Sequence, residues 1–217
     1  MLRTEKATMY LPRHFEAPDL QQIHQLIEAH ALGALVTLGP NGLDANHVPF
    51  LFDRDDKPHG RLIAHVARAN PVWQEASGAE VLVIFRGEEA YISPNWYPSK
   101  QETHRQVPTW NYRVVHVHGK LTVRDDERFV RSVVARLTRK HEAVTHADRA
   151  WKMGDAPADY IDGLLRHIVG LEIAITRIEA KWKLSQNRDA HDRTNAAQAL
   201  ADRGEHALAA AMRAKKD

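Results

Sequence analysis

Three stretches of the chain bring together residue types able to do chemistry in concert. The first runs Gly60-Arg-Leu-Ile-Ala-His65-Val-Ala-Arg68-Ala-Asn70-Pro71. Its small side chains let backbone N–H groups approach an anion, and the Arg68 guanidinium can grip a phosphate through two parallel hydrogen bonds. The competing reading is a solvated arginine in an ordinary strand-to-helix turn, and on this segment alone that reading is the stronger. The second stretch is Tyr91-Ile-Ser93-Pro-Asn-Trp96-Tyr97-Pro-Ser-Lys100, followed by Val107-Pro-Thr-Trp110-Asn111-Tyr112. Large aromatics beside Ser, Asn and Lys on a loop are costly to leave in water. They suit a pocket for a flat ring or a subunit interface, and equally a plug for the end of a barrel. The third is Lys181-Trp182-Lys183-Leu-Ser185-Gln186-Asn187-Arg188. Its amides and hydroxyl can hydrogen-bond a heteroaromatic rim and its lysines can meet an anion. Taken alone, a strand exit leading into a helix cap, with Ser, Asn and Asp189 as capping residues, explains it better.

Other chemistries are excluded or disfavoured. There is no GxGxxG, P-loop, GxSxG or kinase signature, and no HExxH. The 14 histidines are scattered. His116 and His118 share one face of a strand and are able to chelate, but such residues more often bond across neighbouring strands, so no metal site is expected. With 0 Cys, disulfides, thiolate sites and a cysteine nucleophile are ruled out. Thirty Lys and Arg against 28 Asp and Glu give a net charge of +2, which argues against a dedicated, strongly basic nucleic-acid binder. The basic tail Arg213-Ala-Lys215-Lys216 is a small local patch. Apolar residues at 43% and charged residues at 27% fit a globular protein. No apolar run approaches the roughly 18–20 residues of a membrane span, and Met1–Tyr10 lacks an apolar signal core. A cytoplasmic protein that does not enter membranes is the expectation.

The elements that must position these residues follow from periodicity. Leu20, Ile23, Leu26, Ile27 and Ala31 predict a helix over 18–31. Residues 34–38 and 43–52 flank Gly39-Pro40-Asn41-Gly42 and predict a hairpin. A third strand is expected at 61–66 after a polar loop, and a short helical connection at 71–77. Residues 81–85 and 90–93 read as a second hairpin around Gly87. Residues 95–108 read as a long loop and 112–123 as the sixth strand. Helices are expected near 126–141 and after Pro157, a long half-buried strand from Val169 to Thr176, and two Ala-rich helices divided by Gly204. Short antiparallel steps with helices at the edges predict an α+β chain, mainly β, built as a closed or partly closed barrel. One domain over 1–187 with a helical extension over 188–217 packed on it is the expected organisation.

Read together and in order, seven segments resemble a known family. They are Met9-Tyr10-Leu-Pro12-Arg-His-Phe15, His47-Val-Pro49-Phe50, Gly60 to Pro71, Tyr91 to Tyr97, Val107 to Tyr112, Val115-His-Val-His-Gly119 and Lys183-Leu-Ser-Gln-Asn187. The chain is similar to the PaiB-type FMN-binding negative transcriptional regulators from Met9 to about Met212, with Asn95 where Ser is more frequent. The resemblance implies an antiparallel FMN-binding split β-barrel and a homodimer holding FMN between subunits. It would place Arg68 and Asn70 on the phosphate turn, with Lys100 as a further cation. His47, Pro49, Phe50, Ser93, Trp96, Tyr97, Trp110, Asn111, Tyr112, Lys183, Ser185, Gln186 and Asn187 would surround the ring and ribityl chain. Two functions then stand: a flavin-binding regulator, with DNA contact as a partner role, or an FMN-dependent oxidoreductase acting on a small planar substrate.

Overall fold

The computed structural model describes residues 9–54 and 59–214. Lys215 and Lys216 of the basic tail, and part of the polar loop before Gly60, lie outside these residues. In chain order the elements are α1 (Leu20–Ala29), β1 (Leu32–Gly39), β2 (Gly42–Pro49), β3 (Leu51–Asp53), β4 (Arg61–Ala67), α2 (Val72–Glu75), β5 (Glu80–Ile92), α3 (Ser99–Thr103), β6 (Thr109–Arg124), α4 (Glu127–His146), α5 (Ala158–Leu165), β7 (Ile168–Lys183), α6 (Ala190–Asp202) and α7 (His206–Arg213). Two compact units emerge, one of residues 27–85 and 116–178, the other of residues 1–26, 86–115 and 179–217.

The 27–85/116–178 unit carries strands in the order β2-β1-β5-β6-β7-β4-β3. β1 and β2 pair antiparallel from Leu32↔Pro49 to Gly39↔Gly42, the hairpin that the Gly-Pro-Asn-Gly turn predicts. β4 pairs antiparallel with β7 and with β3. Leu62, Ile63, Ala64 and Val66 of β4 are all buried, so this strand is covered on both faces. Val130, Val133 and Leu137 recur at helical spacing along α4. Val133 and Leu137 pack with Leu51 and Ile63, while Val130 packs with Ile161 and Leu165 of α5.

The other unit takes the later part of β5, the earlier part of β6 and the end of β7, with α3, α6 and α7. Asp189 caps α6, its side chain accepting from the Asp192 N–H at 2.9 Å. Gly204, at φ +85°, turns the chain from α6 into α7 as expected.

The structure departs from the sequence reading at four places. The expected 43–52 strand divides after Pro49 into β2 and β3, which stand at opposite edges of the sheet. β5 is one continuous strand, and Gly87 is no turn: a Cβ there would lie 3.0 Å from Leu26 Cδ1 and 3.4 Å from Arg113 Cβ, so this glycine serves close packing. Half of the 95–108 stretch is ordered into the 3₁₀ turn Pro94–Trp96 and α3, and 104–108 is irregular. β7 continues to Lys183, which puts Lys181 and Trp182 inside a strand rather than beyond its end.

Close approach also explains Gly119 on β6. A Cβ at that position would fall 2.5 Å from the Ala174 carbonyl oxygen and 2.7 Å from Ile173 Cγ2 on β7. Gly119→Ala is expected to lower stability by about 1–3 kcal/mol through overpacking. Gly163→Ala in α5 has nothing within 4 Å of the added carbon and should gain about 0.5–1 kcal/mol from helix propensity. Urea unfolding of both variants checks this; shifts of the same sign would refute it.

Candidate functional site

In the 27–85/116–178 unit, Arg68 sits just beyond β4 with four of its five N–H donors already committed. Its guanidinium makes a two-pronged pair with Asp125, at 2.8 and 2.6 Å. Nε donates to the Arg166 carbonyl at 2.9 Å and a terminal nitrogen to that of Ile168 at 3.2 Å. The Arg68 hydrogen bonds hold the Asp125 carboxyl below the usual carboxylate range, and the same bonds raise the guanidinium's own affinity for its proton. The adjoining cavity of about 230 Å³ is lined by Asp125, Asp126, Glu127 and Asp162 as well as Arg68 and Arg166. A phosphate dianion placed there would face four carboxylates. With four of its five N–H donors taken inside the protein, the guanidinium keeps one for an anion unless it exchanges Asp125.

Asn70 holds the turn itself. Its Oδ1 accepts from the Val72 N–H at 2.9 Å at the start of α2, and its Nδ2 donates to Asn46 Oδ1 at 2.7 Å. His47 and Pro49 lie on β2, the histidine exposed and the proline half-buried. Phe50, placed among the flavin contacts by resemblance, is a core residue: it is 1% exposed and stands edge-on to Phe85 with ring centroids 5.9 Å apart. His65 keeps Nδ1 buried without a partner, and burial lowers its pKa.

The other unit gathers most of the remaining residues. Ser93, Trp96 and Trp110 line a cavity of about 490 Å³ with Tyr91, Leu200, Arg203 and the carboxylates of Glu89 and Glu205. Tyr91 and Trp110 meet edge-to-face at 6.1 Å, and Arg203 stands over Trp96 at 5.9 Å. Trp110 is 55% and Tyr91 47% exposed, so they wall an open cavity and do not plug a core. Beside it, Lys183 Nζ donates to the Trp110 carbonyl at 2.7 Å and to Thr109 Oγ1. Burial first, then the positive charges of Lys181 and Arg188, push the Lys183 pKa down. Lys181 lies among the rings of Tyr10, Phe15 and Tyr112, at 5.2–6.0 Å. Arg188 stands over Tyr97 at 5.3 Å and donates to Gln106 Oε1 at 2.6 Å. Among the described residues, no carboxylate pairs with Lys183 or Arg188. Lys100 is engaged with Asn95 Oδ1.

Several of the expected contact residues also make hydrogen bonds within the protein. Asn111, wholly buried, donates to Ser185 Oγ at 2.9 Å and to Met212 Sδ at 3.3 Å. Ser185 occupies a left-handed conformation at φ +63°. Gln186 braces the end of β7, accepting from the Leu184 N–H at 2.7 Å and donating to the Trp182 carbonyl at 2.5 Å. Asn187 is exposed. Tyr97 is 1% exposed and its hydroxyl has no partner; nor has Trp182 Nε1. Sequence reasoning missed Arg203 and Leu200, since a weakly amphipathic Ala-rich helix gives no sign that it walls a site. It also missed Asp192, whose carboxylate accepts from the Ser99 N–H at 3.1 Å, Ser99 Oγ at 2.6 Å and Gln106 Nε2 at 3.3 Å.

A family model described as "Putative FMN-binding domain" matches residues 9–177. The "Protease synthase and sporulation protein PAI 2" of Bacillus subtilis is 32% identical over 193 residues, covering 88% of this chain and 89% of that protein. Among solved structures, the flavocytochrome Anf3 from Azotobacter vinelandii superposes with a TM-score of 0.57 at 10% identity, covering 79% of this chain and 72% of that one. The FAD and heme binding protein from Mycobacterium smegmatis gives 0.55 at 16%, covering 82% and 78%. The chain belongs to the PaiB-type FMN-binding family and has a mainly β fold of the split-barrel kind with peripheral helices. Among the described residues, no helix is long and apolar enough to cross a membrane.

Removing the Asp192 carboxylate would leave the Ser99 and Gln106 donors without their acceptor. Asp192→Ala is expected to cost about 1–3 kcal/mol and to speed tryptic cleavage at Lys100 and Arg105. Urea denaturation with limited proteolysis checks this; an unchanged cleavage rate would sink it.

Proposed function

We propose that this chain is an FMN-binding protein that sets its flavin against the aromatic cavity of Tyr91, Trp96 and Trp110 and meets the phosphate with Lys183, flanked by Lys181 and Arg188. FMN is the cofactor of the family to which the chain belongs. The observation that carries the reading is the Lys183 region: a half-buried lysine with Lys181 and Arg188 as cationic neighbours, without a paired carboxylate at Lys183 or Arg188, beside rings left open to solvent. Such a site gains from an anion joined to a flat ring. About 490 Å³ lies within the range of small-molecule sites.

FMN supplies reversible one- and two-electron chemistry when bound. The chain's own residues bind and orient it. Trp96 and Trp110 give apolar faces to a ring and limit water at it. Lys183, fixed by Thr109 and Trp110, holds positive charge at one place. Arg68 acts as a brace that keeps the Asn70 turn in place through Asp125, Arg166 and Ile168.

The family's regulator name makes a flavin-binding regulator the first reading, assembled as a homodimer with cytoplasmic localisation and DNA as its partner. The exposed Tyr91 and Trp110 support the dimer, because aromatic surface of this kind is typical of covered interfaces. The openness of that cavity also favours a second reading, an FMN-dependent oxidoreductase whose small planar substrate enters beside the flavin. Reduction of bound flavin by NAD(P)H at a useful rate would select the second, and salt-dependent binding to a specific promoter fragment the first.

The protein is expected to purify yellow and to release FMN on denaturation. Lys183→Gln should weaken FMN by about tenfold or more, the worth of a charge-assisted hydrogen bond, and riboflavin far less. Arg68→Gln should weaken the two ligands alike. Fluorescence titration of apoprotein measures both; a phosphate-selective loss at Arg68 and none at Lys183 would move the phosphate to the Asn70 turn.

Binding should also depend on pH with a definite sign. The charged form of Lys183 holds the phosphate, and its pKa in the free protein lies below the ordinary value near 10.4. FMN affinity therefore falls as pH rises through that lowered pKa, and Lys183→Gln removes this alkaline limb. An unaltered limb in the variant would assign it to another group.

A further inference from the structure

The C-terminal half of α4 carries a second stripe beside the one that packs into the core. Ala135, Thr138, Arg139 and Ala143 recur at i, i+3, i+4 and i+8, which places them on one face of the helix. Opposite them the chain returns through Ala150, Trp151, Lys152 and Met153, and the two segments enclose a cavity of about 490 Å³. The returning wall is braced: Glu142 accepts from the Trp151 N–H at 2.9 Å and Asp155 from the Lys152 N–H at 2.8 Å. Alanines leave the groove unfilled, while Trp151 and Met153 give it broad apolar surface. Arg139 and Lys152 are its only charged lining residues, and among the described residues neither has an ion-pair partner. An apolar trough with two uncommitted cations is complementary to a molecule with an apolar body and an anionic head. The planar fork of Arg139 suits a carboxylate in particular. All of these residues belong to the 27–85/116–178 unit, and none is in the proposed flavin cavity.

We propose that this groove binds a small amphipathic carboxylate of the medium-chain fatty-acid type, its chain against the alanines, Trp151 and Met153 and its carboxylate met by Arg139 and Lys152.

Calorimetric titration of the full chain with hexanoate, octanoate and decanoate tests it. Affinity should rise about fourfold for each added methylene, as burial of apolar surface requires. Decanol, without the carboxylate, should bind at least tenfold more weakly than decanoate. Arg139→Gln combined with Lys152→Gln should bring decanoate to the level of decanol. Ala143→Trp should fill the groove and abolish binding while FMN binding and the circular dichroism spectrum stay unchanged. If Ala143→Trp fails to fold, the double glutamine variant decides. Absence of decanoate binding, equal affinity for decanol and decanoate, or unaltered binding in the Gln variant would overturn the proposal. So would binding confined to phosphatidylglycerol vesicles, which would make the patch a membrane contact.

Discussion

A carboxylate with only 1% of its residue exposed has to be surrounded by donors, because an ionised group left bare in a protein interior is too costly to keep. Asp192 satisfies this with Ser99 and Gln106, and Gln106 in turn takes a hydrogen bond from Arg188. The requirement ties α6 to the segment that presents Trp96, Tyr97 and Lys100. It also explains why residues of the C-terminal helical region, Leu200 and Arg203, stand in the aromatic cavity. Residues beyond 187 thus form part of that cavity's wall.

The same accounting of charge separates the two phosphate candidates. Arg68 is surrounded by acceptors, with Asp125 and two carbonyls taking four hydrogen bonds, so its charge is balanced within the protein. Lys183 has a carbonyl and a hydroxyl for partners and two further cations for neighbours. The first arrangement stabilises a turn and the second leaves a site short of negative charge. Residue type alone favours the arginine for its bidentate geometry; what distinguishes them is the company each keeps.

That company is what the sequence conceals. The β1–β2 hairpin, the amphipathic α4, the alternating β7 and the break at Gly204 are local patterns, and each was legible from periodicity and turn chemistry. Gly87 misled because a strand glycine and a turn glycine look alike until the side chains beside it, Leu26 and Arg113, are placed. The Arg68–Asp125 pair joins residues 57 apart and Asn111–Ser185 residues 74 apart, so neither could be read from spacing. Phe50 followed the same rule: its aromatic character was visible, and its partner Phe85 was not.

The two edges of the sheet carry a consequence for the protein in concentrated solution. An unpaired strand edge is a template on which another copy of the chain can add strands without limit. Here β2 ends at Pro49, which has no N–H to offer, and carries Asp44, Asn46 and His47 along its length. β3, at the other edge, is only three residues long and closes with Asp53, which is paired with Arg61 and Arg136. Charge, brevity and a missing donor thus blunt both ends of the ladder against runaway polymerisation, leaving association to surfaces made of side chains.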